Sequence, residues 1–447
     1  MNDKDALDLL RSRMQRFDAD SLVDAVLLTA RSGDLTVGAR LPTIATLARS
    51  LGLSNSTVSL AWKSLVQMGV IETNRRGGTH VARPVAATSY RARGQTDARF
   101  RYRLAAGYPD PALQPDLRRI LHQVADRAEF PGYPGKDDIS PGLREALLRR
   151  LGYEPEALLL DTEVIGALPR VLQAVSHRGA SIGVSNPEFP LYPAIIRQLG
   201  MNPAAVTFTG RYDEVDLERV LRSGARAVLV QTRVHNPTGR RVPTENLAAI
   251  AELLRKFDAT AIEIDHHGAL EPESDVRLAS LAPERVVALL SFAKEIHPDV
   301  RVAAIAGPRA VLERVSAWRA GGEWVSSINR AVLEACLSDP EVATIVAHAR
   351  DEYARRRMLF RDRFASAGLT IASDAGINLW IPVRDEKEAL LHLAVDGIAA
   401  ARGSAFAIGR AMTTPHLHAS LGTMGADSDF LSERFLRAAL ATPSSVY

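Results

Sequence analysis

Beyond about residue 105 the chain alternates short, β-prone apolar runs with helical stretches. Six such runs lie at residues 163–165, 180–185, 227–232, 260–265, 286–291 and 302–307. This alternation predicts a mostly parallel sheet with helices on both faces, in which ligands bind beyond the carboxyl ends of the strands. The fold class of this part of the chain is therefore α/β.

Unusual glycine-containing or polar clusters follow five of these runs. They are Gly166-Ala167, residues 186–189, residues 235–239, residues 265–268 and residues 291–294. Because the carboxyl ends of parallel strands meet at one edge of a sheet, the five clusters predict a single pocket.

The first part of the chain has a different pattern. Residues 6–32 are expected to be helical, and residues 44–51 and 56–69 are two short amphipathic segments joined by a turn at Gly52, which is typical of a helix-turn-helix. Two β-prone runs, 70–73 and 79–81, then flank Arg75, Arg76, Gly77 and Gly78. A basic hairpin after a helix-turn-helix predicts a winged helix.

Charge is distributed unevenly along the chain. The formal net charge is +3, but residues 31–104 carry 12 Lys and Arg against 3 Asp and Glu. This asymmetry favours a polyanionic partner for the first part, although a basic surface without a partner shows the same count. The Arg-rich residues 83–104 have no sustained period and are interpreted as a linker.

Composition excludes several classes of protein. Apolar residues make up 46% and charged residues 24% of the chain, as in folded globular proteins. The first residues lack the pattern of a signal peptide, and no window approaches about 18 consecutive apolar residues. Cys336 is the single cysteine, so we expect neither an intrachain disulfide nor a structural zinc site or other metal site. These features predict a cytoplasmic protein with no membrane partner.

Two side chains in the predicted pocket are informative. Lys294 is one of six lysines and follows an apolar run, where a partly desolvated amine can become neutral and form a Schiff base. A surface lysine is the alternative. Asp265 ends another apolar run, and a buried carboxylate needs a cationic or hydrogen-bonding partner, such as a protonated pyridine nitrogen. A helix N-cap is the alternative there.

Five motifs of the sequence are similar to those of a known family. The motifs are AGYPDPALQPDL (106–117), NPEFPLY (186–192), HNPTG (235–239), IEIDHHG (262–268) and SFAKEIHPDVR (291–301). Together with the winged helix, they resemble the MocR subgroup of GntR-type transcription regulators. The resemblance implies a winged-helix domain over 1–82, the linker 83–104, and a pyridoxal-phosphate-dependent (PLP-dependent) aminotransferase-like domain of fold type I over 105–447. That domain would have a large part at about 130–330 and a smaller α+β part at about 331–447.

The resemblance also implies roles around the cofactor ring. Lys294 would carry PLP as a Schiff base, Asp265 would pair with the pyridine nitrogen, and Asn236 would bond the ring oxygen. Phe189 would stack on the ring, since aromatic rings favour offset stacking. A carboxylate beside the pyridine nitrogen keeps the ring an effective electron sink.

Further roles are implied at the phosphate. Ser291, Arg301 and the backbone amides of Gly166 and Ala167 would bind it, because free amides at a helix start suit an anion. Tyr133 is similar to the tyrosine that reaches the phosphate of the neighbouring subunit, which implies a homodimer. A core aromatic is the alternative for Tyr133.

The sequence departs from the family at three places. His267 stands where the family usually has a tyrosine that bonds the ring oxygen, and His418 replaces the arginine that clasps the substrate carboxylate. A neutral imidazole cannot make the bidentate clasp of a guanidinium. Leu168 and Pro169 occupy positions that are often polar near the phosphate.

The winged helix also departs from the family pattern, in which arginines are common. Base contacts would come from Asn55, Ser56 and Thr57, and phosphate or minor-groove contacts from Lys63, Arg75 and Arg76. Thr43 and Gly77 complete the residues expected at the DNA. A helix N-cap is the alternative for Asn55.

The functional prediction is a PLP-binding regulator of transcription that binds a double-stranded DNA operator and responds to a small-molecule amine or amino acid. One alternative is an active PLP-dependent aminotransferase with an accessory DNA-binding domain. A second is a regulator whose altered pocket, marked by His267 and Leu168, senses another small molecule. His418 argues against efficient amino-acid turnover.

Overall fold

The computed structural model describes most of the chain. The described residues are 3–14, 16–31, 34–36, 38–67, 70–74, 78–81, 100–127, 139–272, 276–319, 324–409 and 414–442. They belong to two compact units, one comprising residues 1–90 and 194–202 and the other comprising residues 91–193 and 203–447. No helix in the described ranges is long and apolar enough to span a membrane.

The first unit contains the winged helix-turn-helix. Its helices are α1 (Asp3–Arg13), α2 (Ala19–Arg31), α3 (Ile44–Leu51) and α4 (Asn55–Gln67), and its strands are β1 (Arg40–Leu41), β2 (Ile71–Asn74) and β3 (Gly78–Val81). The strands form an antiparallel sheet in the order β1-β3-β2. The prediction of a winged helix is confirmed.

Local capping sets the helix-turn-helix. The Thr43 hydroxyl accepts the N–H of Thr46 at the start of α3, and Gly52 ends α3 with φ +67°, a conformation that glycine adopts without strain. Ser54 Oγ accepts the N–H of Thr57 at 3.0 Å, so Ser54 caps α4. The N-cap alternative for Asn55 is therefore wrong.

The second unit is built on a mixed sheet. Within the described residues its strands are β5 (Ala157–Asp161), β6 (Ser181–Asn186), β7 (Asn202–Thr207), β8 (Ala227–Val230), β9 (Thr260–Asp265), β10 (Val286–Ser291) and β11 (Ala303–Gly307), in the order β5-β11-β10-β9-β8-β6-β7. β6, β8, β9 and β10 are parallel, whereas β11 is antiparallel to both β10 and β5. The α/β prediction is confirmed.

Helices alternate with these strands along the chain. They are α5 (Leu117–Arg127), α6 (Pro141–Leu151), α7 (Val164–Val175), α8 (Leu191–Gln198), α9 (Glu214–Arg222), α10 (Thr244–Lys256), α11 (Leu278–Leu281), α12 (Arg309–Ala317), α13 (Ser327–Ser338) and α14 (Pro340–Ser366). The strands β8, β10 and β11 are almost wholly apolar and buried, as expected when helices cover both faces, whereas the edge strand β7 is mostly half-buried.

A smaller sheet follows in the chain. β12 (Asn378–Pro382), β15 (His416–Ser420) and β14 (Ala401–Arg402) are antiparallel, and α15 (Glu386–Val395) and α16 (Ser428–Leu440) accompany them. β13 (Ile398–Ala399) pairs with β4 (Tyr102–Arg103). Since β4 and the buried Leu104 belong to the folded unit, the prediction that the linker extends to residue 104 is wrong; residues 82–99 lie outside the described part.

The loop after β8 is fixed against the segment that leads into β12. The carbonyl oxygen of Gly239 accepts the N–H groups of Asp374 and Ala375 at 2.8 and 2.9 Å, and Ser373 Oγ donates to the carbonyl of Thr238. Gly239 has φ +62°, and a Cβ there would collide with the carbonyl oxygen of Asn378. A glycine is required at this close approach.

The prediction that residues 6–32 are helical is confirmed over α1 and α2, and Asp18 Oδ1 accepts the N–H of Ser21 at the start of α2. The prediction of a strand at residues 163–165 is wrong; the strand is β5, and Val164 begins α7. The β-branched pair Val164-Ile165 has a high strand propensity, but tertiary packing overrides it.

Candidate functional site

The predicted clusters lie at one edge of the large sheet. β6, β8, β9 and β10 run in parallel, and β5 runs in the same direction because two antiparallel pairings separate it from β10. The segments after these five strands therefore begin at the same edge. This topology agrees with the prediction of a shared site, with β5 in place of residues 163–165, and the pocket itself stays a prediction.

Lys294 lies in the turn that follows β10. Its amine is partly buried, and burial lowers the pKa of the amine to about 8, opposed by the charge of Asp265. The lowered pKa increases the fraction of neutral amine, which is the form that attacks an aldehyde. Gly107 lies beside it, since a Cβ on Gly107 would contact Lys294 Cε.

Asn236 is held by its backbone. Gln231 Oε1 accepts the Asn236 N–H at 3.2 Å, and Gln231 Nε2 donates to the Asn236 carbonyl at 3.1 Å and to Glu188 Oε1 at 2.6 Å. The side-chain oxygen of Asn236 is buried and has no hydrogen-bond partner among the described residues. This oxygen is therefore available to accept a hydrogen bond from a ligand.

His267 and His266 follow Asp265. Both ring nitrogens of His267 are buried without a partner in the described ranges, and burial together with Lys294 holds its pKa well below the usual value. His266 Nε2 lies 2.6 Å from the hydroxyl of Tyr192, whose ring meets Phe189 edge-on at 5.3 Å. Two neutral imidazoles and a partly buried aromatic ring thus belong to this site.

Asp265 ends β9 and is 4% exposed. Its Oδ2 lies 2.8 Å from Arg233 Nη1 and 2.9 Å from Arg277 Nη1. The need for a cationic partner is thus met by two arginines, neither of which the sequence analysis identified. Asp265 is not an N-cap of a regular helix, although its Oδ1 accepts the N–H groups of His267 and Gly268.

The predicted phosphate end is only partly free. The N–H of Ala167 donates to the carbonyl of Glu163 within α7, so the prediction of a free amide at Ala167 is wrong; at a helix start the fourth N–H already finds a partner. Arg301 forms an ion pair with Glu163, and Ser291 Oγ accepts the N–H of Ala293 at 3.4 Å. An anion here would compete with the Glu163 carboxylate for Arg301.

His418 lies on β15 of the smaller sheet. It is 1% exposed, and its Nε2 is 3.2 Å from Asn378 Oδ1 on β12. Burial lowers the pKa of His418 to about 3, opposed by a hydrogen bond with the Ala105 backbone. The imidazole is therefore neutral at physiological pH and provides no cation for a carboxylate.

The residues predicted at the DNA lie on or near α3 and α4. Thr43 caps α3, whereas Asn55, Ser56 and Lys63 are exposed along α4. The Ser56 and Thr57 hydroxyls each lie 2.7 Å from Ser54 Oγ. The predicted residues Arg75, Arg76, Gly77 and Tyr133 are outside the described residues.

Comparison with known families separates the two parts of the chain. Residues 104–424 match the family described as aminotransferase class I and II. The chain belongs to the class I and II aminotransferase family. Residues 20–81 match bacterial regulatory proteins of the gntR family. The chain therefore has a GntR-type DNA-binding domain fused to an aminotransferase-family domain, as MocR-type regulators do, and the predicted family is confirmed.

Similar proteins include transcription regulators and an aminotransferase. The vitamin B6 salvage pathway transcriptional repressor PtsJ of Salmonella typhimurium is 29% identical over 401 residues, covering 87% of this chain and 91% of the relative. The HTH-type pyridoxine biosynthesis transcriptional regulator PdxR of Corynebacterium glutamicum is 27% identical over 355 residues, covering 75% and 76%. The aromatic aminotransferase of Pyrococcus horikoshii has a similar fold, with a TM-score of 0.67 at 22% identity, covering 75% and 94%.

Class I and II aminotransferases depend on PLP in general, and most residues of this site fit that cofactor. The fit rests on the partly buried amine of Lys294 and on the buried polar atoms of Asn236 and His267, which have no partner in the described structure. Such unpaired atoms are costly unless a ligand or water satisfies them. Asp265 departs from the fit, because protein donors already surround its carboxylate.

Four residues of this site were missed by sequence reasoning. Arg233 and Arg277 bind Asp265, Glu163 binds Arg301, and Asn378 faces His418. Arg233 follows the end of β8 and Arg277 precedes α11, and each adjoins an apolar residue, which was the available signal. Glu163 and Asn378 carried none, because their partners are distant in the chain.

Proposed function

We propose that this protein is a cytoplasmic, homodimeric transcription regulator that binds double-stranded DNA and takes PLP, alone or joined to an amine, as its signal. The proposal rests on the environment of His418. At the position where the resembling aminotransferases clasp a substrate carboxylate with arginine, this chain has a buried, neutral imidazole facing an amide. Such a pair disfavours an amino-acid substrate and leaves the cofactor itself as the preferred ligand.

The rest of the pocket supports PLP as the ligand. Lys294 would bind the aldehyde carbon, and Asn236, through Nδ2, and a ring N–H of His267 would donate hydrogen bonds to the ring oxygen. When bound, PLP supplies an aldehyde that condenses with amines and a ring that can accept electrons. The names of the relatives PtsJ and PdxR, which regulate vitamin B6 salvage and pyridoxine biosynthesis, agree with a response to this vitamin.

The winged helix would bind DNA through α4. Its exposed face presents Asn55, Ser56 and Lys63, which can bond base edges and phosphates in the major groove. A cofactor that binds one of two arrangements of the dimer more tightly would change DNA affinity by the same coupling free energy.

The test uses the full-length protein and a DNA duplex selected from a random library. We expect added PLP to change the affinity for this duplex about tenfold or more, within the usual range of allosteric coupling. Lys294→Ala should bind the same duplex without responding to PLP, and borohydride reduction in the presence of PLP should no longer label it. Lys256→Ala, which removes a surface lysine paired with Glu218, is the matched control and should respond like the native protein.

If the affinity of the wild-type protein for the duplex did not change on addition of PLP, PLP would be refuted as the signal. Labelling of a different lysine in the native protein would refute the assignment of Lys294. Conversion of amino acids at about 1 per second or faster would favour the aminotransferase alternative.

A further inference from the structure

The carboxylate of Asp265 is fully engaged by donors of the protein itself. Oδ1 accepts the N–H groups of His267 at 2.9 Å and Gly268 at 3.0 Å, and Oδ2 lies 2.8 Å from Arg233 Nη1 and 2.9 Å from Arg277 Nη1. An ionised carboxylate offers about four lone-pair positions. Three hydrogen bonds and the ion pair with Arg277 therefore surround both oxygens and leave little room for a further donor.

Both guanidinium groups are fixed by backbone carbonyls. Arg233 also donates to carbonyl oxygens within residues 268–272, at 2.8 to 3.2 Å, and Arg277 Nη2 donates to the carbonyl of Arg150 at 3.0 Å. Both arginine side chains are almost fully buried. Neither can turn away from Asp265 without leaving carbonyl groups unpaired.

Several charged groups lie around Asp265. Its carboxylate faces two guanidinium groups, and Lys294, the neutral His267 and the buried Glu295 are close enough to interact with it electrostatically. Burial by itself would raise the pKa of Asp265, but Arg233 and Arg277 outweigh burial and hold this pKa well below its usual value. A protonated ring nitrogen placed beside Asp265 would therefore gain little electrostatic attraction.

We propose that Arg233 and Arg277 replace the cofactor ring nitrogen as the partners of Asp265, so that this pocket holds PLP with its ring nitrogen unprotonated. The inference rests on the proposed binding of PLP at Lys294. An unprotonated ring is a weaker electron sink, so binding is retained while aminotransferase chemistry is suppressed. Arg233 and Arg277 are positioning residues, because they act through Asp265.

The decisive measurement is the ¹⁵N NMR spectrum of the full-length protein loaded with ring-¹⁵N PLP at pH 7. The chemical shift of this nitrogen separates the protonated from the unprotonated ring, using free PLP titrated with acid and base as the reference. We expect the native protein to give the unprotonated signal. A bound signal at the protonated position overturns the inference and leaves PLP binding intact, whereas the absence of any bound signal overturns both.

Variants of Arg277 test the cause. Arg277→Met removes one donor and one positive charge, so we expect the ring signal to move toward the protonated position and the conversion of PLP by amino acids to rise about tenfold or more, as one pKa unit on the ring would give. Arg277→Lys keeps the charge and should keep the native signal. Arg314→Met, which removes an arginine bonded to the carbonyl of Ala174, is the control. An unchanged signal in Arg277→Met would assign the effect to groups other than Arg277 and refute its role.

Discussion

Glu188 is a buried carboxyl group bonded to neutral partners. Ser185 Oγ donates to it at 2.6 Å, and Gln231 Nε2 and the Phe189 N–H donate to its other oxygen. Ser185 Oγ also lies 2.8 Å from His235 Nε2. Burial raises the pKa of Glu188 to about 8, against the effect of these hydrogen bonds. The folded protein therefore keeps a proton there that the unfolded chain releases above its ordinary pKa of about 4.5.

Replacing Glu188 with glutamine should alter the pH dependence of stability. Between about pH 4.5 and 8 the folded state binds one more proton at Glu188 than the unfolded state, so this group makes the free energy of unfolding fall with rising pH, by up to about 1.4 kcal/mol per unit. Glu188→Gln removes this contribution. Urea unfolding at pH 5 and pH 8 should show a smaller loss of stability in the variant than in the native protein.

The exposed Glu145 provides a matched control for this measurement. It pairs with Arg149 on the surface of α6, and Glu145→Gln should leave the native pH dependence nearly unchanged. Equal slopes in Glu188→Gln and the native protein would contradict a raised pKa at Glu188.

At the scale of elements, α4 has two distinct faces. Val58, Ala61, Trp62 and Leu65 are buried in the first unit, whereas Ser56, Ser59, Leu60 and Lys63 are exposed at the spacing of one helix face. This arrangement separates the packing role of the helix from its proposed contact with DNA.

Removal of Lys63 should therefore weaken DNA binding without destabilising the fold. If Lys63 meets a phosphate, Lys63→Ala should lower affinity across sequences and reduce the slope of log affinity against log salt by about 1. Fluorescence anisotropy over a salt series checks this, with Lys387→Ala, a lysine of α15 in the second unit, as the control. A native slope in Lys63→Ala would remove Lys63 from the interface.

Elements were predictable from the sequence where local signals agree with burial. β9 and β10 were located correctly because short runs rich in apolar and β-branched residues end in polar clusters. The prediction failed at residues 163–165, where the same residue types begin a helix. At the site, Lys294 was identifiable from its own neighbours in the chain. The environment of Asp265 was not, because Arg233 and Arg277 reach it from 32 and 12 residues away and only tertiary folding unites them.

At the scale of the whole molecule, the described residues contain separate apolar cores. One packs residues of the first unit, such as Leu22, Leu47 and Trp62, and another packs residues between 102 and 439, such as Leu417. The two clusters share no residue, so each can lose its packing independently of the other.

We therefore expect calorimetry of the full-length protein to show two unfolding transitions. Leu47→Ala and Leu417→Ala each delete a fully buried side chain and should each lower a different transition, at a cost of about 2–5 kcal/mol. Leu391→Ala, at an exposed position, should move neither. A single transition lowered by both buried substitutions would show that the cores unfold together.

The close approach at Gly239 has a mechanical consequence. Backbone hydrogen bonds join the loop after β8 to the segment before β12, so the large and small sheets of the second unit are tied together beside Asn236 and Asn378. Hydrogen bonds from the Glu188 N–H to the Phe406 carbonyl and from the Ile408 N–H to Asn186 Oδ1 join the same two parts at a second place. His418 lies on β15, the strand that pairs with β12. A ligand that displaces β15 would therefore have to strain hydrogen bonds that lead directly to the large sheet.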